Sequence, residues 1–137
     1  MLEDLKINVK FKLSALWVAL MFLYLYNDVF GSFRQDQVEK VLSGEIGLNQ
    51  VSLFGAAILM AIPIFMIFLS LSLPAKVNRR VNIIVGIVYA GILVPALLVP
   101  GETWAYYLFY EILEVVFIAL IVWHAWKWPT QEVSPKI

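Results

Sequence analysis

Three carboxylates stand in stretches of sequence that are otherwise apolar: Asp28, Glu111 and Glu114. Glu111 and Glu114 are spaced i, i+3, which puts both on one face of a helix. Tyr107 and Tyr110 extend that face by a turn, and Tyr24 lies one turn from Asp28. Acids and phenols grouped in this way suit the binding of protons, a cation or a cationic amphiphile. Paired carboxyls also serve as general acid and base, but no nucleophile or substrate motif accompanies them, so no catalytic residue is assigned. The chain has no Cys and a single His, His124. Thiolate metal sites, thiol redox chemistry and His-cluster sites are thereby excluded, and the sequence calls for no metal and no cofactor.

The elements that carry these acids follow from composition. The 137 residues are 62% hydrophobic and 15% charged, with a mean hydropathy of +0.85. A soluble domain is nearer 45–50% apolar and about 25% charged. A chain this short has too much surface to hide so many apolar side chains in water. A water-soluble globule, a disordered chain and a basic nucleic-acid binder are excluded. The expected partner is the lipid bilayer, together with a second copy of the chain or another membrane protein.

Four apolar runs predict four membrane-spanning helices in a single all-α domain: about 13–30, 51–73, 81–99 and 104–126. About 20 residues cross the hydrocarbon core as a helix, and helices satisfy their own backbone groups, as lipid requires. The first run is followed by Asn27, Asp28 and aromatics, not by a small-residue cleavage site, so it is expected to be retained. Basic residues are one-sided. Lys6, Lys10, Lys12, Lys76, Arg79, Arg80, Lys127 and Lys136 fall on one side, and Arg34 and Lys40 on the other. The positive-inside rule then places both termini in the cytoplasm. Trp104, Tyr106 and Tyr107 at one end of the fourth run, and Trp123, Trp126 and Trp128 at the other, read as interfacial belts.

The connections are short. Asn78 is expected to cap the third span, and Thr103, after the Pro100-Gly101 turn, the fourth. Such turns predict sequential helices packed as antiparallel neighbours. In the longer first loop, Val38, Val41 and Leu42 share one helical face and Gly44 is a stop. The expectation is a short amphipathic helix over about 35–43 lying on the outer membrane surface; a lid over the bundle mouth is the alternative. The N-terminal arm alternates Leu5, Ile7, Val9 and Phe11 with Lys6, Asn8, Lys10 and Lys12. A helix running into span one is the favoured reading, and a strand paired with another chain the alternative.

Small residues four apart (Ala15 and Ala19, Ala57 and Ala61, Gly86 and Ala90) suggest close helix contacts, within the chain or in a homo-oligomer. Pro63 frees the carbonyl of Leu59, and Pro95 that of Gly91. Ser70, Ser72 and the Arg79-Arg80 pair read as headgroup contacts.

At this depth an acid costs about 2.5–3.5 kcal/mol on insertion scales. By helical rise, Glu114 lies roughly 15 Å below the outer edge of span four. No Lys or Arg lies within any span; Arg34 could reach Asp28 from its loop. Two neighbouring acids without a cation do not both stay charged, so one is expected to be neutral and to donate to Tyr24, Tyr89, Tyr110 or a freed carbonyl. One reading makes the acids neutral glue between helices, in a structural or accessory subunit. The preferred reading has Glu111, Glu114, Asp28, Tyr24, Tyr89, Tyr107 and Tyr110 line an outward-facing cavity for a proton, a cation or a small molecule. A membrane enzyme with a Glu/Glu acid–base pair is third.

The segments KINVKFKLSALW (Lys6–Trp17), LMAIPIFMIFLSL (Leu59–Leu71), RRVNIIVGIVY (Arg79–Tyr89) and EILEVVFIALIVWHAWKWP (Glu111–Pro129) resemble a family of small bacterial four-span membrane proteins of unknown function. The resemblance implies a location in the bacterial cytoplasmic membrane and carries over no activity. The layout is also similar to DoxX-like membrane proteins, in span number and size alone.

Overall fold

The computed structural model describes residues 2–45, 47–98 and 104–130. Five helices and no strand occur among the described residues: α1 (Val9–Ser32), α2 (Gln35–Leu42), α3 (Gln50–Ser72), α4 (Ala75–Leu97) and α5 (Ala105–Trp126). All but α2 are long and apolar enough to cross a membrane. The chain is a multi-pass membrane protein built as an all-α bundle of four spans.

The helices outrun the apolar runs that announce them. α1 begins at Val9, where the Asn8 side chain accepts a hydrogen bond from the Lys10 N–H at 2.9 Å. Residues 2–8 form neither helix nor strand. The arm therefore corrects the helical reading: the Asn8 cap starts the helix, and a lone alternating segment has no ladder partner to become a strand. α4 begins at Ala75, so Asn78 is an interior residue and not a cap. Hydropathy marks the part of a helix that lies in oil, and Lys76, Arg79 and Arg80 extend α4 beyond it. Asn49 and Ser52 close a capping box at the start of α3, and Gly44, with φ 78°, follows the end of α2. Thr103, the Pro100-Gly101 turn and Lys136 lie outside the described residues.

Lipid tails are as apolar as Leu, so helices associate through close packing and internal polar bonds. Both are present. α5 buries Glu111, Glu114, Ile118, Ile121 and Ala125 in one stripe of three- and four-residue steps and packs against both α1 and α4. α1 also packs against α3. α3 and α4, despite their tight turn, meet only sparsely, so the expected packing of sequential helices holds for α4 and α5 but not for α3 and α4. Gly86 lets α4 approach α5: a Cβ there would stand 2.6 Å from Val122 Cγ2. This small residue serves a contact within the chain.

A polar network ties the bundle together at the α3–α4 turn. The Trp17 indole N–H donates to Asn82 Oδ1 at 2.7 Å, and the Ser70 hydroxyl donates to the same oxygen at 3.3 Å. The Asn82 amide donates to the Asn78 side chain at 2.6 Å, and the Asn78 amide to the Ser70 carbonyl at 2.7 Å. Ser14 donates to the Ile67 carbonyl at 2.9 Å. Asn78, Asn82 and Ser70 are fully buried. Ser70 is thus an interhelical bond and not a headgroup contact. Arg79, itself exposed, reaches across to α5: it donates to the carbonyls of Ala125 at 3.1 Å and Trp126 at 3.2 Å, capping the C-terminus of α5.

The Gly86–Val122 contact gives a direct test. Gly86→Ala should lower stability in detergent by about 1–3 kcal/mol through overpacking, and Val122→Ala should recover most of that loss. Chemical unfolding followed by circular dichroism measures both; an undiminished penalty in the double variant would show that the contact is not the cause.

Candidate functional site

At the other end of the bundle, the end nearer α2, the polar side chains are not so completely paired. A cavity of about 250 Å³ is lined from all four spans. α1 contributes Tyr24, Asn27 and Asp28; α3, Leu59 and Met60; α4, Tyr89, Ile92, Leu93 and Ala96; α5, Tyr107, Glu111 and Glu114. Six of the seven side chains expected from sequence line it. Glu111 and Glu114 are 4% and 1% exposed. Asp28, nearer the mouth, is open to its surroundings. No basic residue is among the lining residues.

Tyr110 is the exception. It stands at the α1 edge of the α5 face, where Phe30 stacks on it with ring centroids 5.8 Å apart. That contact draws it out of the cavity lining into an aromatic row with Phe30 and Phe109. Asn27 takes the place the sequence reading left empty. It is the one carboxamide in the lining and adjoins Glu114. Its position one turn from Tyr24 was the available signal, masked by its more obvious neighbour Asp28.

Two oxygens of the lining residues matter most. Glu114 Oε1 and Asn27 Oδ1 are both buried and neither has a hydrogen-bond partner. Buried polar atoms are nearly always paired, and an orphaned one needs a reason. The other groups have partners or neighbours. The Tyr107 hydroxyl faces Glu111. The Tyr89 hydroxyl donates to the carbonyl of Leu59, the carbonyl that Pro63 leaves without a helical donor. The freed carbonyl therefore bonds a phenol from α4 and is not available to the acids. This bond bridges the sparse α3–α4 contact, and Tyr89 in turn meets the buried Trp17 edge to face at 6.5 Å.

A second space, of about 700 Å³, adjoins the first and shares Asn27, Asp28 and Tyr107 with it. Val38, Val41 and Leu42 of α2 line it, with Leu48 and Leu53. The apolar face of α2, expected on the outer membrane surface or as a lid, is thus the face that borders this vestibule. Periodicity defined the face but not what it faces. Arg34, the basic residue of the vestibule, does not reach Asp28 as anticipated. It bonds Asp36 twice, at 2.8 and 3.2 Å, and its guanidinium lies 4.3 Å from the Trp104 ring centroid. The hydrogen bond from Arg34 holds the Asp36 carboxyl below its ordinary pKa. The acids of the cavity are thus left without a cationic partner.

The acids do not converge on one point: no group of three His, Cys, Asp or Glu among the described residues could hold a metal ion.

Residues 3–135 match the model of a family of unknown function, DUF6326. No curated protein and no solved structure matches the chain.

The Tyr89–Leu59 bond predicts a specific coupling. Tyr89→Phe leaves a buried carbonyl unpaired and should cost about 1–3 kcal/mol. Pro63→Ala restores a backbone donor to the same carbonyl, so Tyr89→Phe should cost markedly less in that background. A double-mutant cycle of unfolding free energies checks this, and additive effects would show that the proline notch and the phenol are unrelated.

Proposed function

The chain belongs to DUF6326, a family of unknown function, and we propose that it binds a small cation within the membrane, in a cavity open toward the α2 end. Glu114 carries the reading: a carboxyl 1% exposed, with one oxygen unpartnered, in a space that also holds Glu111 and Asp28 and no basic side chain. A carboxylate in oil needs a neutralising charge, and the surrounding helices supply none. A proton or a bound cation does. The three phenols of the lining, Tyr24, Tyr89 and Tyr107, add aromatic ring systems, whose faces attract a cation more than a neutral ligand.

The distribution of basic residues supports an orientation in which the α2 end is extracytoplasmic and both termini are cytoplasmic, in the bacterial cytoplasmic membrane. The cavity then loads from outside. Beneath it, the Tyr89–Leu59 bond and the polar network around Asn82 close the bundle toward the cytoplasm. An outward-open site over a closed floor suits an extracytoplasmic binding protein, or the outward-facing state of a transporter.

Binding of octylammonium to the protein in nanodiscs tests the site. Glu114→Gln should weaken it at least about tenfold, a loss of about 1.4 kcal/mol, and Glu111→Gln should weaken it in the same direction. Wild-type protein that fails to bind, or variants that bind equally well, would overturn the cation reading.

A further inference from the structure

Two observations narrow the ligand, on the premise that the cavity takes a cation. First, the unpartnered groups are both acceptor oxygens, Glu114 Oε1 and Asn27 Oδ1. A ligand that satisfies both must bring N–H or O–H donors. A quaternary ammonium ion carries charge but no donor, so it would leave both oxygens unpaired. A metal ion would need converging ligands, and the described acids do not converge. Second, the acid-lined space adjoins the vestibule beside α2, with which it shares Asn27, Asp28 and Tyr107 and whose walls include Val38, Val41, Leu42, Leu48 and Leu53. A bare ammonium ion would leave that apolar space without an apolar occupant.

We propose that the ligand is a primary or secondary ammonium ion bearing an apolar chain, its N–H groups donated to Glu114 Oε1 and Asn27 Oδ1 and its chain lying beneath α2. Charge, donors and apolar surface are then each matched by a different part of the site. The ammonium meets the carboxyls at the base of the cavity. The chain passes Asp28 and Tyr107, two of the three residues common to both spaces. Val38 and Val41 cover it from the α2 side. Discrimination against the quaternary analogue comes from unpaired buried acceptors, which reject a ligand lacking the donor far more strongly than a missing methylene does.

Three probes separate the parts: octylammonium, octyltrimethylammonium and ethylammonium, each measured in nanodiscs with Glu114→Gln as the background for lipid partitioning. Octylammonium should bind at least about tenfold more tightly than either of the others. Asn27→Leu should shrink the preference over octyltrimethylammonium, and Val38→Asn/Val41→Asn should shrink the preference over ethylammonium. Equal affinity for the quaternary ion overturns the donor assignment while leaving a cation site. Equal affinity for ethylammonium overturns the placement of the chain under α2. If octylammonium itself does not bind the wild-type protein, the failure belongs to the cation reading and removes both.

Discussion

Hydrocarbon solvates no polar group, so a polar side chain inside a span is either committed to a neighbour or left at a cost. The chain meets this constraint differently at its two ends. Near the α3–α4 turn, Asn78, Asn82, Ser70 and Trp17 form a closed set of hydrogen bonds across three helices. Near α2, Glu111, Glu114, Asn27 and Asp28 surround a space, and two of their oxygens have no partner. One sequence has thus produced a fully satisfied polar layer and an incomplete one at different depths of the same bundle. The satisfied layer shows that these helices can pair buried polar atoms. The incomplete layer is the one in which the described side chains leave buried oxygens unpaired.

The acids were legible from sequence because their type alone marks them: an ionisable residue in an apolar run has few harmless explanations. Glu111 and Glu114 also declare a shared face by their spacing. Amides and hydroxyls carry no such mark. Asn78 and Asn82 straddle the boundary where hydropathy falls, and there an Asn looks like a cap. Only the start of α4 at Ala75 reveals both as interior. Ser70 was misread for the same reason, since it closes a hydrophobic run and faces inward rather than toward headgroups. Tyr110 and Asn27 show the limit of reading one helix at a time. Each face was assigned from its own helix, and Phe30 of α1 decided which tyrosine stayed in the lining.

Loop length misled in a different way. A tight turn makes α3 and α4 antiparallel neighbours in the chain, but packing is decided by side chains along the whole face. α4 has Gly86 to bring it against α5. α3 turns large groups such as Phe54, Phe65 and Phe68 outward to lipid, and it finds its main contact in α1. What joins α3 to α4 is local and polar: the Asn78 amide bonding the Ser70 and Leu73 carbonyls at the turn, and the Tyr89 hydroxyl on the Leu59 carbonyl further along.

That sparse contact is what gives the cavity its room. Two helices packed along their full length would fill the space between Leu59 and Met60 on one side and Ile92, Leu93 and Ala96 on the other. Pro63 contributes by removing a helical donor to Leu59, and Tyr89 supplies the replacement from the opposite helix. The bond holds α3 and α4 together at one level without requiring close packing beyond it. Pro63 therefore has a defined consequence. It creates the acceptor that anchors the wall of the acid-lined space.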